Sequence, residues 1–337
     1  LLKDNQILEI SCAGEKTAIT VYHLKYGLIE TNLSFENITK LNLFILGITK
    51  SIGLHINSNN PVIDGYLPNG YKVEGLYSVG DISNKGSYFI IKKYLDKPLT
   101  PISLINASIG SIDIYAYIWT AIDMGYQIIL HGGIDNLLVL NSIALFYPDK
   151  QIVSIQEYDS IKLPQSNWIK RLMSANPNVD KKTVISQSIS QRPYYIIVDH
   201  FSKDILDISW FNINLFTIDS KLISEITPQI KSINQNALII EFGRISTRNG
   251  EKILFKKITE IYNKNEFETI NLDFENLDYK IDLLSSNINI VKFNEKKKIV
   301  KWMFDSEIND YKDFNSIVND YFVNRETLLK RLEITTE

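Results

Sequence analysis

Gly132 and Gly133 follow an apolar run, Gln127-Ile-Ile-Leu-His131, and precede a stretch that reads as a helix through Ile143, Leu145 and Phe146 to Pro148. A strand, a glycine turn and a helix make the frame of a phosphate-binding loop, whose working pattern is G-x-x-x-x-G-K-[ST]. In such a loop backbone N–H groups close on the phosphate oxygens, the lysine neutralises them and the hydroxyl holds Mg²⁺. Counted from Gly132, the last three positions are Leu137, Leu138 and Val139. Leu137 has an isobutyl group where the backbone must come close, Leu138 has no charge, and Val139 has no hydroxyl. Shortening the loop by two residues puts Asn136 at the lysine position and Leu137 at the hydroxyl position, so the lysine is missing either way. Each lost charge-assisted hydrogen bond is worth ~1.5–3 kcal/mol. The expected affinity for a triphosphate is therefore lower by orders of magnitude, and the pattern points to a nucleotide-motor frame that does something other than hydrolyse ATP.

The elements that must hold this loop fit an ordinary globular chain. Its 337 residues, 45% hydrophobic and 22% charged, suffice for two domains at ~150 residues each. A net charge of −3 gives no global case for nucleic-acid binding. The single cysteine, Cys12, excludes an internal disulfide framework and fits a reducing compartment. No apolar run approaches the ~18 residues needed to span a bilayer. The expected location is cytoplasmic, or peripheral at the inner face of the cell membrane, without direct membrane insertion. The chain starts at Leu1 rather than methionine, so sequence upstream of it is an open question.

Residues up to about 95 read as a small α/β domain. Ala18 to Tyr22, Leu28 to Thr31 and Tyr88 to Lys93 have strand composition, and Ile38 to Ile52 has helical periodicity. Pro68-Asn-Gly70 marks a turn between two strands of a hairpin. Lys97-Pro-Leu-Thr-Pro101 reads as a linker, because its prolines resist both helix and central strand. Beyond it, Ser111 caps a helix that ends at Gly125. Apolar runs follow at Ile128–Leu130, Ile152–Ile155, Tyr195–Val198, Leu215–Ile218 and Leu238–Ile240. They are continuous rather than alternating, which favours strands buried on both faces of a mostly parallel sheet. The tail reads as helical, with Asn324 capping a last helix. Lys296-Lys-Lys298 reads as a solvated helix face, and no spacing of His23, His55, His131 and His200 suits a metal.

Several segments, taken in order, carry a resemblance: Pro68-Asn-Gly-Tyr-Lys-Val-Glu74, Pro98 to Ile105, Ile128-Ile-Leu-His-Gly-Gly133, Ile152 to Glu157, Leu163 to Ile169 and Arg192-Pro-Tyr-Tyr-Ile-Ile-Val198. The series resembles the type II/IV secretion ATPase superfamily, the pilus, archaellum and secretion assembly motors, and within it the archaeal branch. The likeness runs from about Leu8 to Leu332. It implies an α/β chain with an N-terminal α/β domain (1–96), a linker (97–101), a RecA-like domain with a mostly parallel sheet (102–280) and a C-terminal helical appendage (281–337). Such motors typically form hexameric rings at a membrane machine.

Carried over position by position, the resemblance implies a degenerate site. The phosphate loop keeps Gly132 and Gly133 and loses its function at Leu137, Leu138 and Val139. The family's adjacent acidic residues correspond to Gln156 and Glu157, so only Glu157 remains. Its Gly-Glu pair after the second motif strand corresponds to Asp199 and His200, which removes the glutamate that would polarise water. The Thr-Ile-His-Ala box reads Thr217-Ile-Asp-Ser220, with Asp219 in place of histidine. Arginines of the N-terminal domain correspond to Lys72, Lys85 and Lys92, which keep the charge without the forked geometry. The implied protein is a pseudo-ATPase with no expected cofactor and no expected nucleic-acid partner. Its expected partners are proteins: an active paralogous ring ATPase or a membrane platform protein. Two alternatives stay open. One is a divergent active ATPase, with ATP and Mg²⁺ as cofactors, in which Lys150 or a partner's lysine replaces the missing charge. The other is a stand-alone scaffold outside secretion.

Overall fold

Short polar residues start six helices of this chain. Asn37, Thr100, Ser111, Asp180, Asn289 and Asp310 each accept a hydrogen bond from a backbone N–H in the first turn, which satisfies a donor that the helix itself leaves open. The computed structural model describes residues 1–78, 86–132, 136–173, 179–203, 210–247, 250–273 and 278–334. They divide into two units, Leu1–Leu95 with Ile245–Lys252, and Asp96–Arg244 with Ile253–Glu337.

The first unit carries β1 (Ile7–Cys12), β2 (Ala18–His23), β3 (Gly27–Ser34), β4 (Val62–Tyr66), β5 (Lys72–Leu76) and β6 (Tyr88–Lys92). They form an antiparallel sheet in the order β3-β2-β1-β6-β5-β4. The hairpin expected around Pro68-Asn-Gly70 is present, with Tyr66 opposite Lys72 and Gly70 at φ +84°, a conformation glycine adopts at low cost. Helix α1 (Ile38–Ser51) lays Leu41 and Ile45 on the sheet residues Ile10, Val73 and Ile91.

In the second unit the continuous apolar runs are strands, as their composition predicts: β7 (Gln127–His131), β8 (Ile152–Gln156), β10 (Tyr195–Phe201), β11 (Leu215–Ile218) and β12 (Ala237–Thr247). The apolar criterion misses β9 (Trp168–Leu172), a half-buried strand at the sheet edge. It also misses β13 (Gly250–Tyr262) and β14 (Asn265–Glu268). The sheet order is β14-β13-β12-β7-β11-β10-β8-β9, and β12 through β9 run parallel. Residues Ile152 to Gln156 and Leu215 to Ile218 are buried throughout, as strands covered on both faces must be. A separate two-stranded ribbon pairs β15 (Ile270–Asp273) with β16 (Asp278–Ile281).

One side of this sheet is filled by Ile129, Val153, Ile185, Val198, Phe216 and Ile226 among others, which draws in α5 (Lys181–Ser190) and α6 (Ile223–Ser232). Helix α3 (Ile112–Asp123) is buried at every position from Ile114 to Ile122. Trp119 stacks on Phe146 and meets Tyr321 edge-on, and Phe146 meets Phe314.

Four expectations are corrected here. Pro101 is not linker but the first residue of α2 (Pro101–Asn106), capped by Thr100; proline is tolerated at that position because its missing N–H has no intrahelical partner to lose. Helix α4 (Asn136–Ala144) stops short of Pro148 and continues only as turns. The tail helices α7 (Ile290–Asp305) and α8 (Tyr311–Arg331) are integral to the second unit rather than appended to it, because Phe293, Ile299, Met303 and Phe314 are buried in its core. Lys296 is likewise no solvated residue. It is 0% exposed, its ammonium lies 2.8 Å from Asp123, and the rings of Tyr321 and Trp119 lie 4.5 and 5.5 Å from it. Asn324 breaks α8 with non-helical backbone angles and caps its last turns through Thr327 N–H, as expected.

Candidate functional site

The phosphate-loop frame lies at the carboxyl edge of the parallel strands, the edge at which open α/β sheets place their ligands. Gly132 leaves β7 at φ +113°. A Cβ there would lie 2.0 Å from the carbonyl oxygen of Phe242 in β12, so this glycine is required by the neighbouring strand, whatever happens to phosphate. Gly133 lies outside the described residues. Leu137 and Leu138 are half-buried in the first turn of α4, and Val139 is 0% exposed in the core. Asn136, the first residue of α4, is buried, and among the described residues its Oδ1 has no hydrogen-bond partner.

Asp199, near the end of β10, is the most heavily engaged group at this edge. Only β11 separates β10 from β7, so the two strand ends are about 10 Å apart at ordinary strand spacing. Asp199 Oδ1 accepts from Lys181 Nζ at 2.7 Å and from His200 N–H at 2.7 Å. Its Oδ2 accepts from Glu157 N–H at 2.6 Å and from Ser160 Oγ at 3.5 Å. Its backbone carbonyl accepts from Thr217 Oγ1. Strand alternation sends the next side chain, His200, to the exposed face.

The other carried-over positions are spread along the same edge. Glu157 is exposed and contributes its backbone N–H, while Gln156 is buried, donates to Ser154 Oγ and accepts from Ile161 N–H. Gln156 therefore serves packing and loop anchoring. Asp219 is exposed and caps the short turn Ser220–Leu222 through Lys221 N–H at 3.0 Å. The following Ser220 Oγ sits 3.2 Å from His131 Nδ1. Burial holds His131 below the ordinary histidine pKa, against the opposing influence of Glu241, so its ring is neutral at pH 7.

A Mg²⁺-triphosphate does not suit this donor set. Val139 offers no hydroxyl, the carboxylate of Asp199 has donors on both oxygens, and the Thr217 hydroxyl is committed to the backbone. Lys150 does not supply the missing charge. Its ammonium lies 5.4 Å from the ring centre of Tyr194, at the amino ends of β8 and β10, about 16 Å of strand away from the carboxyl edge.

In the first unit, Lys72 and Lys92 are consumed locally; Lys85 lies outside the described residues. Lys72 Nζ is 2.8 Å from Glu74 and 3.6 Å from Asp64, and the buried Lys92 also pairs with Glu74. Burial favours the neutral acid at Glu74, but the two ammonium groups outweigh it and hold its carboxyl below the ordinary range. The sign follows from that depression. Folding gains stability above the ordinary value of 4.5 and loses it as the pH falls through the folded-state value. Glu74→Gln is therefore expected to flatten the acid limb of a thermal-unfolding profile, while lowering stability at neutral pH by about 1–3 kcal/mol because Lys92 stays buried. An acid limb unchanged by the substitution would refute this.

Sequence reasoning did not anticipate Lys181, nor the contact between Ser220 and His131. Lys181 was signalled only indirectly, by Asp180 and Thr183 as a helix start.

Among known proteins, no family model matches the chain. The chain is 28% identical to uncharacterized protein MJ0900 of Methanocaldococcus jannaschii over 204 residues, 58% of this chain and 36% of that protein. It is 27% identical to uncharacterized protein MJ0781 of the same organism over 212 residues, 58% of this chain and 29% of that one. It thus spans about a third of the length of these relatives. Among solved structures it is similar to the pilus retraction motor PilT with bound ADP, at 10% identity and a TM-score of 0.45, covering 95% of this chain and 90% of that one. It is also similar to the VirB11 ATPase of the Brucella suis type IV secretion system in complex with sulphate, at 12% identity and a TM-score of 0.36, covering 78% of this chain and 91% of that one. Among the described residues no helix is long and apolar enough to cross a membrane. The chain is a mixed α/β protein with a large sheet covered by helices.

Proposed function

We propose that this chain is a degenerate member of the type II/IV secretion ATPase superfamily that binds protein instead of nucleotide. It serves as a structural or regulatory subunit beside an active ring ATPase, or on a membrane platform protein, at the cytoplasmic face of a pilus or secretion machine. The observation that carries this reading is the fate of its cations. No lysine or arginine occurs between Gly132 and Pro148, Lys72 and Lys92 share Glu74, and Lys181 is bound to Asp199. Each of these described lysines is thus paired with a carboxylate of its own unit. The ordered motif series supports the family, and Leu43, Phe44 and Leu46, exposed on α1, supply apolar surface of the kind protein partners cover.

The test is a fluorescent-ATP titration with a phosphate-release assay on the purified protein. Neither saturable binding at micromolar nucleotide nor turnover above background is expected. Leu137→Gly/Leu138→Lys/Val139→Thr is expected to gain nucleotide binding without turnover, because His200 stands where the water-polarising glutamate belongs. Micromolar ATP binding by the unaltered chain would defeat the reading. Affinity capture should recover a pilus or secretion ATPase, or its membrane platform.

A further inference from the structure

Asp199 is 4% exposed, and a carboxylate taken out of water needs a counter-charge and several hydrogen bonds to be tolerable. Both are present. An ionised carboxylate offers about four acceptor positions, and the four donors Lys181 Nζ, His200 N–H, Glu157 N–H and Ser160 Oγ occupy them. These donors come from four places: α5, β10 itself, the residue after β8 and the loop that follows it. The Lys181 side chain is itself 15% exposed, and Asp180 fixes its helix start by accepting from Thr183 N–H at 2.8 Å and Thr183 Oγ1 at 2.7 Å. The lysine therefore projects from a capped first turn.

We propose that Lys181 is the resident cation of this edge. Its ammonium supplies the counter-charge that the buried Asp199 carboxylate needs, and it holds β8, β10 and α5 together without a metal. The inference rests on the reading of the chain as a non-hydrolysing motor fold and adds how the emptied site is kept stable. Mg²⁺ demands a near-octahedral shell of oxygens at about 2.0–2.1 Å, whereas Asp199 faces two inward-pointing N–H groups and an ammonium, all positive. The site thus discriminates against a metal by charge as well as by occupancy. Removing Lys181 alone leaves an uncompensated buried carboxylate, which is the condition under which a divalent cation becomes its best available partner.

Mn²⁺ is the probe, read by the loss of its free EPR signal and by thermal unfolding of the full chain, with no nucleotide in any arm. The unaltered protein is expected to take up no Mn²⁺ in the millimolar range and to show a Tm that Mn²⁺ does not move. Lys181→Met is expected to unfold about 10 °C lower, to bind Mn²⁺ in the millimolar range and to regain part of its Tm when Mn²⁺ is added. Lys181→Met/Asp199→Asn leaves neither charge alone. It is expected to recover at least half of the lost Tm and to bind no Mn²⁺, and it decides the matter if the single variant does not fold. The proposal is overturned by Mn²⁺ uptake in the unaltered protein that Asp199→Asn abolishes, by an unchanged Tm in Lys181→Met, by a folded Lys181→Met that gains no Mn²⁺ binding, or by a double variant no more stable than the single. Because nucleotide is absent throughout, these outcomes are separate from the ATP titration.

Discussion

Gly132→Ala is expected to lower the unfolding free energy by about 2–6 kcal/mol, from about 1–3 for forcing a Cβ into the left-handed region and about 1–3 for overpacking. The clash is with backbone, since the added Cβ would stand 2.0 Å from Phe242 O and 3.0 Å from Phe242 N, and β12 cannot move away without breaking its ladder to β7. Gly125→Ala is the control. That glycine has φ +78° with nothing within 4 Å of its Cβ position, so only the conformational cost of about 1–2 kcal/mol applies. Urea denaturation measures both, and a shift in midpoint at constant slope identifies a change in folded-state stability. If the two substitutions cost the same, the strand contact is not what requires Gly132. The larger cost expected at Gly132 means that the sheet itself needs the residue, independently of any phosphate.

Asp123→Asn is expected to destabilise the protein by about 3–5 kcal/mol, the range for breaking a buried ion pair from one side. Lys296 would keep the Tyr321 hydroxyl at 3.2 Å, two aromatic faces and the weaker pull of the Glu295 carboxylate, which Arg325 already engages. Burial already pulls its pKa down to about 8, even with Asp123 opposing that shift. Without Asp123 the amine sheds its proton, and at pH 7 that limits the loss to about 5 kcal/mol, the cost of deprotonating a lysine of ordinary pKa 10.5. A depressed lysine pKa means the unfolded chain binds more protons, so stability rises with pH across the window below 10.5. The gap between Asp123→Asn and the unaltered protein should therefore narrow from pH 7 toward pH 9. Chemical denaturation at both pH values reads it, and a gap that widens with pH would contradict the assignment. Asp123→Asn/Lys296→Met should recover most of the loss, because it removes both charges and leaves no buried ion without its partner.

Much of the scaffold was legible in local pattern. The apolar runs at β7, β8, β10, β11 and β12, the caps Ser111 and Asn324 and the turn at Gly70 all depend on residues within about four positions of one another, and local backbone geometry dictates them. The edge strand β9 escaped because it is only half-buried, so its apolar content is diluted. The charge run at Lys296 was misread because a lysine beside two lysines looks solvated until its surroundings are known.

By itself the sequence determined which side chains the turn after β7 can offer: no lysine or arginine lies between Gly132 and Pro148, and an absent side chain cannot be supplied by folding. Only the tertiary structure decided what the remaining charges do. Lys181 reaches Asp199 across 18 residues, and Lys296 reaches Asp123 across 173. Such pairings follow from which strands and helices become neighbours, and burial then makes each pair obligatory by removing the water that would otherwise solvate its charges.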